Sequence, residues 1–187
     1  MTKEARLLNI CVYGAASPLI DEKYIDAGLA LGRELGRRGH TLIFGGGNSG
    51  LMGAVVRGIE ENDGESIGIS PEFFRPDGVL FEGCDKTYFT ADMRSRKAML
   101  DALSSGFIIT PGGTGTYDEF FEIYTLKRLG QTAKPIVILN VDGYFDPLLN
   151  LLRHTAELKF MDGEDLGMLF VTESVTEAID YIEKELA

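Results

Sequence analysis

The sequence has 187 residues and contains no tryptophan, two histidines and two cysteines. Those shortages exclude several chemistries. Cys11 and Cys84 lie far apart, and His40 and His154 stand alone, so no grouping has the spacing of a zinc site and no disulfide framework is expected. No serine occupies a Gly-x-Ser-x-Gly elbow. There is no apolar run of about 18 residues, so no membrane span is expected. Residues 1–6 lack the apolar core of a secretory signal. Basic residues are outnumbered, 18 Lys and Arg against 29 Asp and Glu, giving a net charge of −11. Non-specific nucleic-acid binding needs a basic field, which this chain does not offer. These absences predict a reduced, cytoplasmic protein with no metal, no membrane association and no nucleic-acid partner. A small anionic ligand stays compatible, because local N–H groups and one or two arginines can hold a phosphate inside an acidic protein.

What the chain has is glycine in clusters, set between hydrophobic runs and amphipathic stretches. Strands are predicted over 7–13, 41–44, 65–70, 86–90, 107–110, 135–139 and 168–171. Helices are predicted over 22–38, 50–61, 92–103, 116–129, 145–157 and 174–186, with Asp92 as a cap and Gly39 and Gly130 as terminators. The strands are short, apolar and not strictly alternating, the pattern of strands covered on both faces. The alternation of strand and helix predicts an α/β fold: a single doubly wound, Rossmann-like domain over 1–187, with a mostly parallel sheet flanked by helices. In such folds ligands bind beyond the carboxyl ends of the strands. The loops at 14–17, 45–50, 91–97 and 111–116 all fall there, which joins distant segments into one expected site.

The most informative of these loops is Pro111-Gly112-Gly113-Thr114-Gly115-Thr116, between a strand and a helix. Bare backbone N–H groups at a helix N-terminus suit a phosphate. The same glycines also suit a tight turn with no ligand. The loop is neither a Walker A sequence nor the Gly-x-Gly-x-x-Gly dinucleotide fingerprint. Glu119 follows one turn later. It is a candidate catalytic carboxylate, but Thr116-x-x-Glu119 also has the form of a capping box. Glu122 shares a helix face with Glu119, as a second site carboxylate or as part of a solvated face. Arg94, Arg96 and Lys97 open the helix upstream, where positive charge opposes the helix dipole. Arg96 and Lys97 are candidates to compensate the carboxylates or hold a phosphate, or they are surface. Gly45-Gly46-Gly47 with Ser49-Gly50 is a second glycine loop that could close over a nucleotide. Gly14 to Ser17 could set small residues against a sugar or phosphate. Met93 reads as packing near the site, and Phe120, Phe121, Tyr124 and Leu129 as core or a partner-helix surface.

Pro111-Gly-Gly-Thr-Gly-Thr-Tyr-Asp-Glu119, with Arg96-Lys97 upstream, resembles the Pro-Gly-Gly-x-Gly-Thr-x-x-Glu and Arg-Lys motifs of the LOG ("Lonely Guy") family. The resemblance runs from Val12-Tyr13-Gly14 to Gly143-Tyr144. It implies a phosphoribohydrolase that cleaves the N-glycosidic bond of a purine nucleoside 5′-monophosphate, of cytokinin type or AMP, releasing free base and ribose 5-phosphate. It implies no metal or organic cofactor, a homodimer, and catalytic roles for Arg96 and Glu119. Substrate or phosphate contacts are then expected from Ser17, Gly46, Gly47, Met93, Lys97, Gly112 to Thr116, and Glu122. Family members have also been labelled lysine decarboxylases, but no lysine here has a pyridoxal-phosphate setting. Two motifs depart from the family pattern: Gly14-Ala15-Ala16-Ser17 replaces Cys-Gly-Ser-Ser, and Met93-Arg94-Ser95-Arg96-Lys97 replaces Met-His-x-Arg-Lys. Both touch the expected substrate rim and leave base preference open. The alternative is a non-enzymatic carrier, since molybdenum-cofactor carrier proteins also resemble this fold.

Overall fold

A computed structural model of the protein describes residues 7–187; the expectation drawn from residues 1–6 lies outside the described residues. The chain runs β1 (Asn9–Tyr13), α1 (Glu22–Arg37), β2 (Thr41–Phe44), α2 (Gly50–Glu60), β3 (Ser66–Pro71), β4 (Lys86–Thr90), α3 (Met93–Leu103) and β5 (Gly106–Ile109). It continues α4 (Thr114–Arg128), β6 (Ile136–Leu139), α5 (Asp146–Glu157), β7 (Leu169–Thr172) and α6 (Val175–Glu185). The strands form one sheet in the order β4-β3-β2-β1-β5-β6-β7. Every neighbouring pair is parallel, so the sheet expected to be mostly parallel is wholly so.

The apolar character of the strands follows from burial on both faces. In β1, Ile10 and Val12 point to one side and join Leu31 and Leu35 of α1, Val55 and Ile59 of α2, and Ile179 and Ile182 of α6. Cys11 and Tyr13 point to the other side and join Leu100 of α3, Phe120 of α4, Phe145 at the N-cap of α5 and Leu148 within it. Successive side chains of a strand alternate in direction, so a strand sandwiched between helix layers must be apolar throughout.

Strand order reverses beside β1. Successive strands β1 to β4 add in one direction, and β5 to β7 add in the other, leaving β1 and β5 adjacent. The loops after these two strands diverge to opposite faces, which opens a crevice at their carboxyl ends.

Element boundaries differ from expectation in informative places. β1 begins at Asn9, because Leu7 is 70% exposed and cannot belong to a doubly covered strand. Phe145 caps α5 from outside and does not open it. Three short 3-10 segments, Glu72–Asp77, Val141–Gly143 and Gly163–Met168, occupy stretches expected to be loop, except that Met168, expected to open the last strand, closes the third of them. α4 begins at Thr114, two residues before the expected start, with Gly113 as its N-cap. No described helix is long and apolar enough to cross a membrane.

Candidate active site

The loops expected to converge do so, and backbone hydrogen bonds stitch them together. The Thr110 amide and hydroxyl both donate to the Tyr13 carbonyl, each at 2.8 Å. The Ala15 amide donates to the Pro111 carbonyl, and the Met52 amide to the Ala15 carbonyl, both at 3.0 Å. The Tyr144 hydroxyl donates to the Gly112 carbonyl at 2.6 Å. The β1 loop is thereby tied to α2 on one side and to the glycine turn on the other. Above them opens a cavity of about 660 Å³, a volume typical of small-molecule sites.

One wall of this cavity is the N-terminus of α4. The first intrahelical bond runs from the Tyr117 amide to the Gly113 carbonyl, and Gly113 offers no side-chain cap. The amides of Thr114, Gly115 and Thr116 therefore have no intrahelical acceptor. Gly113, Thr114, Gly115 and Thr116 all line the cavity. Gly112 lies buried just behind them.

The early start of α4 changes the reading of Glu119. With Gly113 as the cap, Thr116 is the third residue of the helix and Glu119 the sixth, so the two cannot form a capping box. The Glu119 carboxylate reaches inward instead. Its Oε1 accepts from Arg96 Nη1 at 2.6 Å, and both side chains are only 10% exposed. Arg96 Nε donates to the Ile69 carbonyl at 3.0 Å. Its other nitrogen packs so close to Gly45 that a Cβ there would stand 2.1 Å from Nη2. Asp92 sets up this geometry by capping α3, its carboxylate accepting from the Ser95 amide at 2.8 Å.

Burial pushes the Glu119 carboxyl above its ordinary value, opposed by the charge of and hydrogen bond from Arg96. A carboxylate whose basicity is raised, with one oxygen held and the other without a hydrogen-bond partner among the described residues, is suited to act as a base or to stabilise a developing cation. Tyr13, also on this wall, has its phenol driven well above its usual value by burial, so it is neutral at physiological pH.

The other expected site residues separate into two groups. Ser17, Gly47 and Met93 line the cavity, although the Ser17 hydroxyl already accepts from the Leu19 amide at 3.3 Å. Gly46, Lys97 and Glu122 do not line it. Gly46 is buried, and its carbonyl accepts from the Phe81 amide at 2.8 Å. Lys97 turns to the far side of Glu119, where it bridges Asp118 at 2.9 Å and Glu122. There it faces a second, small cavity of about 150 Å³ that also touches Tyr13 and Glu119. The two ion pairs, Arg96 with Glu119 and Lys97 with its acidic neighbours, together lock α3 against α4.

Sequence reasoning missed the apolar part of the cavity, formed by Met52, Phe74, Val79 and Leu80, along with Tyr13 and Ser70, whereas Asn48 lines it from within the 45–50 loop expected there. Tyr13 and Ser70 were within reach of the carboxyl-end rule, since each lies at or near the end of a strand. Phe74, Val79 and Leu80 carry no periodic signal, because the segment that bears them is neither α-helix nor sheet.

Fold and site together define an α/β protein with an anion-favouring helix N-terminus next to a buried Arg–Glu pair. A family profile described as "Possible lysine decarboxylase" matches residues 52–182. The chain is 33% identical over 184 residues to the probable cytokinin riboside 5′-monophosphate phosphoribohydrolase LOGL2 of Oryza sativa subsp. japonica, covering 98% of this chain and 75% of that protein. It is also 33% identical over 182 residues to the cytokinin riboside 5′-monophosphate phosphoribohydrolase LOG3 of Arabidopsis thaliana, covering 97% of this chain and 85% of that protein. The chain belongs to this LOG family. Among solved structures, the molybdenum cofactor binding protein of Rippkaea orientalis superposes with a TM-score of 0.76 over 97% of this chain and 99% of that one. At 21% identity that likeness shows the fold alone.

Proposed function

We propose that the protein hydrolyses the N-glycosidic bond of a purine nucleoside 5′-monophosphate, releasing free base and ribose 5-phosphate. The observation that carries this reading is the Arg96–Glu119 pair, buried at the wall of the cavity and one helical turn from the free amides of α4. Membership of the LOG family supports the same reaction class.

The 5′-phosphate sits on the amides of residues 113–116, where unpaired N–H groups and the helix dipole favour negative charge. Three strand spacings, about 14 Å, separate β5, which leads into that helix, from β3, which leads into the apolar wall of Phe74, Val79 and Leu80. The base lies toward that wall and the ribose between, beside Glu119 and Arg96. Binding of the remote phosphate fixes the sugar against the carboxylate. As the bond from the anomeric carbon to the base nitrogen breaks, its electron pair leaves with the base and the sugar gains positive charge. Glu119 stabilises that charge and takes a proton from the attacking water. Water supplies hydroxyl to the anomeric carbon, the departing base takes up one proton, and Glu119 gives up the proton it took from water, so that one water is consumed and the carboxylate is restored. Arg96 orients Glu119 and keeps one of its oxygens engaged while the other works. The exposed Phe121 of α4 and Leu129 at its C-cap support a homodimer, for which sedimentation is the direct measurement.

The test is release of adenine from AMP, with adenosine as the phosphate-free control. Equimolar adenine and ribose 5-phosphate from AMP, and far slower cleavage of adenosine, are expected. Tight AMP binding with no product would favour the carrier reading instead.

A further inference from the structure

The apolar wall of the cavity is held in an unusual way. It belongs to the segment 72–81, which turns through the 3-10 stretch Glu72–Asp77 and returns extended toward β4. None of these ten residues is buried; Phe73, Phe74 and Val79 are 55%, 38% and 43% exposed. Burial alone therefore does not fix the wall. Arg75 lies over the Phe89 ring at 4.4 Å and steadies the outer end. The inner end, which faces the cavity, is held by hydrogen bonds to the glycine loop after β2.

Most of those bonds converge on one residue. The Asn48 amide donates to the Val79 carbonyl at 3.0 Å. The Asn48 side-chain amide donates to the carbonyls of Gly78 and Leu80, at 3.2 and 3.4 Å. Only the bond from the Phe81 amide to the Gly46 carbonyl bypasses it. Asn48 is itself fixed from α2: the Ser49 hydroxyl donates to its Oδ1 at 2.9 Å, and Arg57 Nη1 donates to its carbonyl at 3.0 Å. The rigid partner is thus the helix, and the held partner is the wall.

We propose that Asn48 is a positioning residue that sets specificity at the base end of the site, by clasping Gly78 and Leu80 so that Val79 and Leu80 stand as the surface against which the base packs. This inference rests on the nucleotide-hydrolase reading. Asn48 touches neither the anion cradle nor the Arg96–Glu119 pair in the hydrogen-bond network. Its loss acts on groups that reach the wall and spares those that do not.

The experiment compares Asn48→Ala and Asn48→Asp with the wild type, using AMP and ribose 5-phosphate as paired probes, since the second lacks the base. Asn48→Ala is expected to raise KM for AMP roughly tenfold, the scale of one or two lost hydrogen bonds, with kcat little changed. The inhibition constant of ribose 5-phosphate stays at the wild-type value. Asn48→Asp keeps the size and the acceptor for Ser49 but turns a carboxylate on two carbonyls, and its effect is at least as large. In both variants amide hydrogen exchange at residues 48 and 81, whose amides donate to the Val79 and Gly46 carbonyls, accelerates while that of α4 does not, a readout that needs no activity and also serves if one variant folds poorly. Unchanged exchange at residues 48 and 81, or equal weakening of AMP and ribose 5-phosphate, overturns the proposal. If the wild type cleaves no nucleotide, the functional reading fails separately, and the ratio of dissociation constants for AMP and ribose 5-phosphate takes the place of KM.

Discussion

Arg96 Nη1 stands 2.6 Å from Glu119 Oε1, and these two are the charged residues among those that line the large cavity. A buried carboxylate is costly unless a cation compensates it. Here the cation comes from a different helix and is anchored independently to the Ile69 carbonyl. Arg96 therefore holds Glu119 in position and limits how far burial raises its proton affinity.

Replacing Arg96 should move the pH profile in a known direction. Arg96 is the strongest influence lowering the Glu119 value against burial. In Arg96→Ala that opposition is gone and the carboxyl titrates higher still. With the carboxylate as the proposed working form, activity is expected to fall as pH drops through that value. The acidic limb of kcat/KM should then shift to higher pH than in wild type, on top of a lower maximum. A limb at or below the wild-type position would contradict this. Removing one partner of a buried pair also destabilises, by about 3–5 kcal/mol where burial is complete, so the melting temperature should fall.

The glycines of the cradle should separate structure from binding. A Cβ at Gly112 would lie 2.0 Å from Thr116 Oγ1 and 2.7 Å from its Cβ, whereas one at Gly113 meets nothing within 4 Å. Gly112→Ala should lower the melting temperature and activity together. Gly113→Ala should melt only slightly lower, by the loss of a favoured N-cap worth about 1 kcal/mol, yet raise KM for AMP because the methyl enters the space assigned to the phosphate. Wild-type KM in Gly113→Ala would move the phosphate away from this turn.

Much of this site could be read before the structure, for physical reasons. Strands covered on both faces leave a plain apolar mark, and a parallel sheet confines ligands to one edge, so the loops at 14–17, 45–50 and 111–116 could be brought together from their order alone. Two features were not legible. The choice between a capping box and an inward carboxylate at Glu119 turned on whether Gly113 or Thr116 capped α4, and both residue types are acceptable caps. The ambivalence of Lys97 was resolved by helix phase: one residue beyond Arg96, it points some 100° around α3 and meets Asp118 and Glu122 outside the cavity. The wall at 72–81 had no pattern to read, since exposed Phe-Phe-Arg-Pro gives neither helical nor strand periodicity.

Lys97 makes its own prediction. Half-buried and paired with two acids on α4, it braces the helix that carries Glu119 and does not line the large cavity. Lys97→Met should lower kcat modestly through loosened positioning and leave the dissociation constant of ribose 5-phosphate unchanged. A large rise in that constant would instead make Lys97 a phosphate ligand.

The central claim is that Glu119 does the chemistry while the turn at 113–116 does the holding. Parallel measurement of AMP turnover and AMP dissociation constant in Glu119→Gln tests it most directly. The account predicts a fall in kcat of roughly 10²–10⁴-fold, the usual contribution of a positioned base, with the dissociation constant close to wild type. Turnover near the wild-type rate, with the nucleotide still bound, would contradict it.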